Sequence, residues 1–129
     1  MTRYLLDTDA LVDFSKGFEP TMSRILAWVD AGDTLAVCAV SLAEFCAGLE
    51  REDLSRWREF LASLAYFEIS RDAAIHAGQD RYRFKRLGMS ITTADSLLAA
   101  VARERDATLV TGNVKHFPMR GVALLSIRE

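Results

Sequence analysis

The chain has only two cysteines and two histidines, and Cys38 and Cys46 do not stand in CxxC spacing. That shortage argues against a thiolate and imidazole zinc site, and both thiols are expected to be reduced and buried among their apolar neighbours. An excess of basic charge is missing too. With 16 Lys and Arg against 18 Asp and Glu, the formal net charge is −2, so no global positive field draws nucleic acid and any such contact rests on a local patch. No apolar run approaches a bilayer span and no basic segment leads into one, which points to a cytoplasmic protein with no membrane association. Repeats, low-complexity tracts and linkers are also missing. What is left is 50% hydrophobic and 26% charged. That is enough apolar matter for one core, so residues 1–129 are read as a single domain.

Short apolar runs alternate with segments of helical spacing. "RYLL" (3–6), "TLAVCAV" (34–40), "YFEIS" (66–70), "ATLVT" (107–111) and "VALLSI" (122–127) are predicted strands. Between them "TMSRILAWVDAG", "LAEFCAGLE", "DLSRWREFLASL", "RDAAIHAGQDRYRFKRLG" and "ADSLLAAVARERD" are predicted helices, the first closing on Gly32 and the fourth on Gly88. This order predicts an α/β fold, a three-layer α/β/α sandwich around a parallel sheet. Two helices between the second and third strands exceed what one crossover needs, and a helical hairpin is expected there.

In such a sheet the loops after strands and the first turns of helices gather on one edge, where these folds bind ligands. Asp7 follows the first strand. Glu44, in "SLAE", and Asp95, in "TTAD", are each expected in the first turn of a helix, and Asn113 leaves the fourth strand two residues after Thr111. A plainer reading stands beside each acid. Ser41 with Glu44, and Thr92 with Asp95, match the capping box, in which the acid satisfies backbone donors. Asp7 can cap a helix entering at Asp9, and Asp9 with Asp13 can be a polar helix face. The combination decides between the readings. Three carboxylates about 5 Å apart repel by roughly 3 kcal/mol per pair at an effective dielectric near 20, which favours a bound cation or proton uptake. Helix N-termini return only about 0.3–1 kcal/mol each. An all-oxygen set suits Mg²⁺ or Mn²⁺ and metal-assisted phosphodiester hydrolysis.

"LLDTDALVD", "SLAEFCAGL", "TTADSLLAA" and "LVTGNVKHF" resemble, in order and across essentially the whole chain, the four signature segments of PIN-domain ribonucleases. They are similar in particular to the VapC-type toxins of VapBC toxin-antitoxin pairs. The resemblance implies a parallel-sheet α/β/α fold, a Mg²⁺- or Mn²⁺-dependent endoribonuclease, a homodimer and a cognate VapB-type antitoxin. It places Asp7, Glu44 and Asp95 at acidic metal-site positions. Asn113 stands where many members carry a fourth acid, which weakens the case for a second metal site more than for the first. Thr111 is implied to orient Asp7. Asp9 either supports the metal ligands or compensates for Asn113, and Asp13 is read as a surface or capping residue.

"RYRFKR" (81–86) sets Arg81, Arg83, Lys85 and Arg86 among Tyr82 and Phe84. It reads either as an RNA or antitoxin contact or as a solvated helix face with its aromatics packed inward, Arg81 and Lys85 pointing one way and Tyr82 another. His76 is read as a helix residue and His116 as a loop residue, and Lys115 and His116 stand close enough to the fourth motif to meet a phosphate. Trp28, Trp57 and Phe60 are assigned to core or dimer packing, and a groove between the early helices to an antitoxin helix. Three rivals remain. The DxD spacing of Asp7 and Asp9 suggests a haloacid-dehalogenase-type phosphatase, but Leu11 stands where that pattern expects Thr or Val. A non-catalytic PIN-like module would bind RNA or protein without cutting. A response-regulator receiver lacks an acid after the third strand.

Overall fold

The computed structural model describes residues 1–128; Glu129 lies outside the described residues. Five strands, β1 (Arg3–Leu6), β2 (Thr34–Val37), β3 (Ala65–Tyr66), β4 (Thr108–Thr111) and β5 (Ala123–Ser126), form one sheet in the order β3-β2-β1-β4-β5. Every pairing in it is parallel. Six helices cover it: α1 (Thr8–Lys16), α2 (Thr21–Asp30), α3 (Ala39–Ala47), α4 (Arg51–Ser63), α5 (Arg71–Arg86) and α6 (Thr93–Glu104). A short 3-10 turn, Val114–His116, follows β4.

The strand alternation sorts the core into two halves, as a sheet buried on both faces requires. Leu5, Ala36 and Leu109 face one way, into a cluster with Ala77 and Phe84 of α5 and Leu98 and Val101 of α6. Leu6, Leu35, Val37 and Val110 face the other, against Ala10 and Leu11 of α1, Ile25 of α2 and Phe45 of α3. The three-layer α/β/α architecture expected from the sequence is therefore present, with α5 and α6 as one outer layer and α1 to α4 as the other.

Trp28, Trp57 and Phe60 pack at the rim of the second half. Trp28 stacks on Tyr4 with ring centroids 3.9 Å apart, and Phe60 stacks on Phe14 at 4.8 Å. The two helices expected between β2 and β3 are α3 and α4, and α4 buries none of its residues fully.

Several expectations are corrected. β2 stops at Val37, because Cys38 turns out as the extended N-cap of α3 and Ala39 and Val40 begin that helix. β3 holds only Ala65 and Tyr66, its one partner being β2 across two residue pairs. A full helix, α1, follows β1, closed by Gly17 in the left-handed region at φ 68°, where only glycine avoids a steric penalty. Both cysteines are free, but Cys46 is half-buried while Cys38 is fully buried. Among the described residues no helix is long and apolar enough to cross a membrane.

Candidate functional site

Asp7 is the first residue past β1, and its position follows from the backbone. Its N–H donates to the Val110 carbonyl at 2.9 Å, so the sheet ladder holds it at the edge while its own φ and ψ turn the chain into α1. The carboxylate is fixed at both oxygens. Oδ1 accepts from the Thr8 N–H at 2.7 Å, and Oδ2 accepts from the Thr111 hydroxyl at 2.9 Å. Thr111 is fully buried, and its oxygen in turn accepts from the Asn113 N–H at 3.0 Å. Thr111 thus links the Asp7 carboxylate to the backbone after β4. Asp7 is only 8% exposed. Burial pushes its carboxyl up to about 6, the two hydrogen bonds hold it down in part, and the charges of Asp9 and Asp95 raise it further.

Asp95 lies in the first turn of α6, whose N-cap Thr92 accepts from the Asp95 N–H at 3.0 Å. Partial burial raises its carboxyl. Thr92 and His116 lower it again, while Glu44 and Asp9 add to the rise. His116 Nδ1 stands 3.4 Å from Asp95 Oδ2. Glu44 does not occupy a first turn. It sits in the second turn of α3, because that helix starts at Ala39, and Ser41 is not a cap: its hydroxyl turns back to the Cys38 carbonyl. From there Glu44 Oε1 accepts from the Thr8 hydroxyl at 2.8 Å. Thr8 thus touches Asp7 through its N–H and Glu44 through its side chain.

Asp9 and Asn113 meet directly, the Asn113 amide donating to Asp9 Oδ2 at 3.1 Å. A Cβ on Gly112 would stand 2.8 Å from that same oxygen. The glycine after β4 lets the carboxylate approach, since the clash would displace any larger residue. Asp13 belongs elsewhere. It is 3% exposed, accepts from the Thr21 hydroxyl at 2.9 Å and pairs with Arg128 at 2.7 Å. The surface or capping role expected for it is therefore corrected to a buried strut between α1, α2 and the chain's last residues.

The basic run divides. Arg81 donates through Nε to the Ile91 carbonyl at 2.9 Å, and Arg86 donates to the Tyr82 hydroxyl at 3.1 Å. Arg83 turns to the buried Asp80, which Arg103 also grips. Arg81, Tyr82 and Lys85 line one groove, which corrects the expectation that Tyr82 points away from the two cations. Phe84 packs inward and Tyr82 does not. Lys115 and His116 share a small cavity with Asp95.

Sequence reasoning missed Thr8 as a link between two acids and left His116 as a loop residue rather than a neighbour of Asp95. Thr8 had one legible signal, its place immediately after Asp7 at the same edge. His116 had its place in "TGNVKHF".

Asp7 thus feels the charges of Asp9 and Asp95, and Asp95 those of Glu44 and Asp9, although these acids come from the start of α1, from α3 and from α6. Among the described residues no three His, Cys, Asp or Glu side chains close into a direct metal-holding group.

Residues 4–118 match the family model described as the PIN domain. The chain is 32% identical over 116 residues to ribonuclease VapC19 of Mycobacterium tuberculosis, covering 89% of this chain and 92% of that protein. It is 31% identical over 115 residues to ribonuclease VapC10 of the same organism, covering 89% and 86%. In three dimensions it is similar to the crystal structure of VapBC2 from Rickettsia felis bound to a DNA fragment from their promoter. That likeness has a TM-score of 0.84 at 25% identity and covers 97% of this chain and 98% of that one. The chain belongs to the PIN-domain family, with VapC ribonucleases among its relatives.

Proposed function

We propose that the chain is a metal-dependent endoribonuclease, the toxin of a VapBC-type toxin-antitoxin pair. The observation that carries this reading is Asp7: buried, fixed at both oxygens, and raised to about 6 by desolvation with Asp9 and Asp95 beside it. A carboxylate so placed gains from a bound cation, which would offset the burial and the like charges that raise it. The donors are all oxygen, which fits Mg²⁺ or Mn²⁺. Mg²⁺ uses one or two carboxylates and keeps several waters, so acids that do not close into a direct three-ligand group still suit it. Asp7 and Asp95 would hold the ion, with Glu44 and the Asp9–Asn113 pair around it. Bound there, such an ion supplies an activated water and charge stabilisation for phosphodiester hydrolysis.

The chain's own side chains do the rest. Thr111 fixes the Asp7 carboxylate, Thr8 fixes Glu44 and ties it to Asp7, and His116 holds or takes a proton beside Asp95. Lys115, in the same cavity, meets a substrate phosphate. Asn113 brings no charge, but it fastens a carboxylate from residue 9 in its place, so the edge keeps four acids. For the antitoxin we assign the largely apolar groove between α3 and α4, about 370 Å³, lined by Leu42, Cys46, Leu54, Leu61 and Tyr66 with Arg58 among them. An amphipathic helix fits such a groove. A homodimer is part of the same proposal.

The phosphatase reading is set aside. The chain belongs to another family. A receiver would have a different strand order, with its first and third strands adjacent.

The test is cleavage of structured and single-stranded RNAs by protein freed of any antitoxin, in Mg²⁺, Mn²⁺ or EDTA, beside Asp7→Asn and Asp95→Asn. Metal-dependent cutting that both substitutions abolish is the expected result. RNA binding with no cutting in either metal would hand the chain to the non-catalytic reading.

A further inference from the structure

Gly78, Arg81, Tyr82 and Lys85 of α5 stand at spacings of three, four and seven residues, on one side of the helix. With Met89, Ser90 and Ile91 they enclose a groove of about 560 Å³. The same three loop residues, with Asp95, Lys115 and His116, line the small cavity of about 140 Å³ at the acid edge. The groove and the acid edge therefore adjoin across one loop.

Three features of the groove are unexplained by the fold. Gly78 lies inside a helix, where glycine costs about 1 kcal/mol relative to alanine. A Cβ there would meet nothing within 4 Å, so the packing of the chain does not demand it, and the groove floor is left bare. Arg81 is pinned to the loop through Nε, which turns its guanidinium into the groove wall; among the described residues no protein partner takes its terminal nitrogens. Tyr82 is 64% exposed, yet its ring is held: Arg86 donates to its hydroxyl and lies 5.8 Å from the ring centroid. A pre-ordered exposed aromatic between two cations is a stacking platform.

We propose that this groove is a subsite for the single-stranded RNA that flanks the scissile phosphate. Arg81 and Lys85 take backbone phosphates, Tyr82 stacks on one base, and Gly78 lets the strand lie close to the helix. The proposal rests on the nuclease reading and adds where the substrate runs. Charge favours RNA over a second copy of the chain. The lining holds two cations and no acid, so a two-fold contact through it would bring like charges together.

The test is fluorescence anisotropy of a labelled single-stranded RNA, with Ca²⁺ present, against the wild type, Gly78→Met and an Arg81→Ala/Lys85→Ala double variant. Gly78→Met fills open space and improves helix propensity, so its melting temperature is expected to hold or rise, while RNA affinity falls about tenfold as the strand is kept from the helix and one stacked base is lost. The double variant is expected to lower the log–log salt slope by about 1.4, the value for two phosphates of a single strand. Unchanged affinity and slope in both variants would overturn the subsite, as would failure of the wild type to bind RNA. A Gly78→Met protein that changes oligomeric state while binding RNA as before would give the groove to a second copy and overturn it too. Cutting that ignores both variants overturns the groove and leaves the nuclease; binding through the groove without cutting in Mg²⁺ or Mn²⁺ does the reverse.

Discussion

Residues 92–95 and residues 41–44 carry the same pattern, a hydroxyl followed three positions later by an acid, and the fold uses them differently. Thr92 is the N-cap of α6 and accepts the Asp95 N–H, so Asp95 stands in the first turn. Ser41 is already inside α3 and fully buried. Glu44 is then carried into the second turn, where it takes its hydrogen bond from Thr8, 36 residues away in sequence. A capping-box pattern marks a helix start only if the chain enters there. Before α6 the extended Thr92 provides that entry; before α3 the strand ends earlier and Cys38 takes the place of the cap. One acid is placed by its own helix and the other by a neighbour.

The largest effect expected from probing this contrast is on catalysis. Asp95→Asn is expected to lower kcat/KM on a cleaved RNA by about 10³-fold or more, and Glu44→Gln by about 10- to 100-fold, in line with a direct charge and a supporting one. Equal losses would erase the distinction between the two acids.

Asp7 shares that edge, and its titration reports its burial first and the charges of Asp9 and Asp95 second. Its folded-state value of about 6 lies above the ordinary 3.8. The native state therefore binds this proton more readily than the unfolded chain. Stability from that group is fully present below about pH 4 and is lost as the pH rises through about 6. In EDTA at pH 7, Asp7→Asn is expected to stabilise the protein by about 1–3 kcal/mol, and the gain is expected to vanish by about pH 4. Urea unfolding at the two pH values measures it, and a gain that is the same at both would sink the argument.

Thr8→Val removes the donor to Glu44 and keeps the volume. Activity is expected to fall about 10-fold or more, since groups that orient ligands are typically worth 10- to 100-fold. The contacts of Asp95, to Thr92 and His116, do not involve Thr8 and are expected to stay in place. The smallest effects are on stability alone. Thr92→Ala is expected to cost about 1 kcal/mol as a lost cap, and Ser41→Ala less than about 0.5 kcal/mol. Thermal or urea unfolding of the pair decides it, and a Ser41→Ala loss as large as that of Thr92→Ala would mean Ser41 caps after all.

Much of the site was legible because it stands where elements change. Asp7, Asp95 and Asn113 each follow a strand or open a helix, and parallel topology sends all such places to one edge. The basic run was legible as a helix, and the helix contains it. Which of its residues share a groove was not, because the loop at residues 89–91 builds the other wall. The short β3 was overread, since "YFEIS" has the composition of a strand but finds a partner only at its beginning.

The periodicity of the chain by itself determined the strand and helix order and the two-faced core. Adjacent residues such as Leu5 and Leu6, or Leu109 and Val110, must bury on opposite sides of a sheet. It also determined that acids stand at the ends of elements. Tertiary structure alone decided what each acid does there. Asp9 and Asp13 are four residues apart on one helix and look equivalent, yet Asp9 meets Asn113 at the acid edge and Asp13 is buried against Thr21 and Arg128. Asn113 and Arg128 lie more than 100 residues further along the chain. Sheet order and register bring them back, and no local propensity encodes a pairing across that distance.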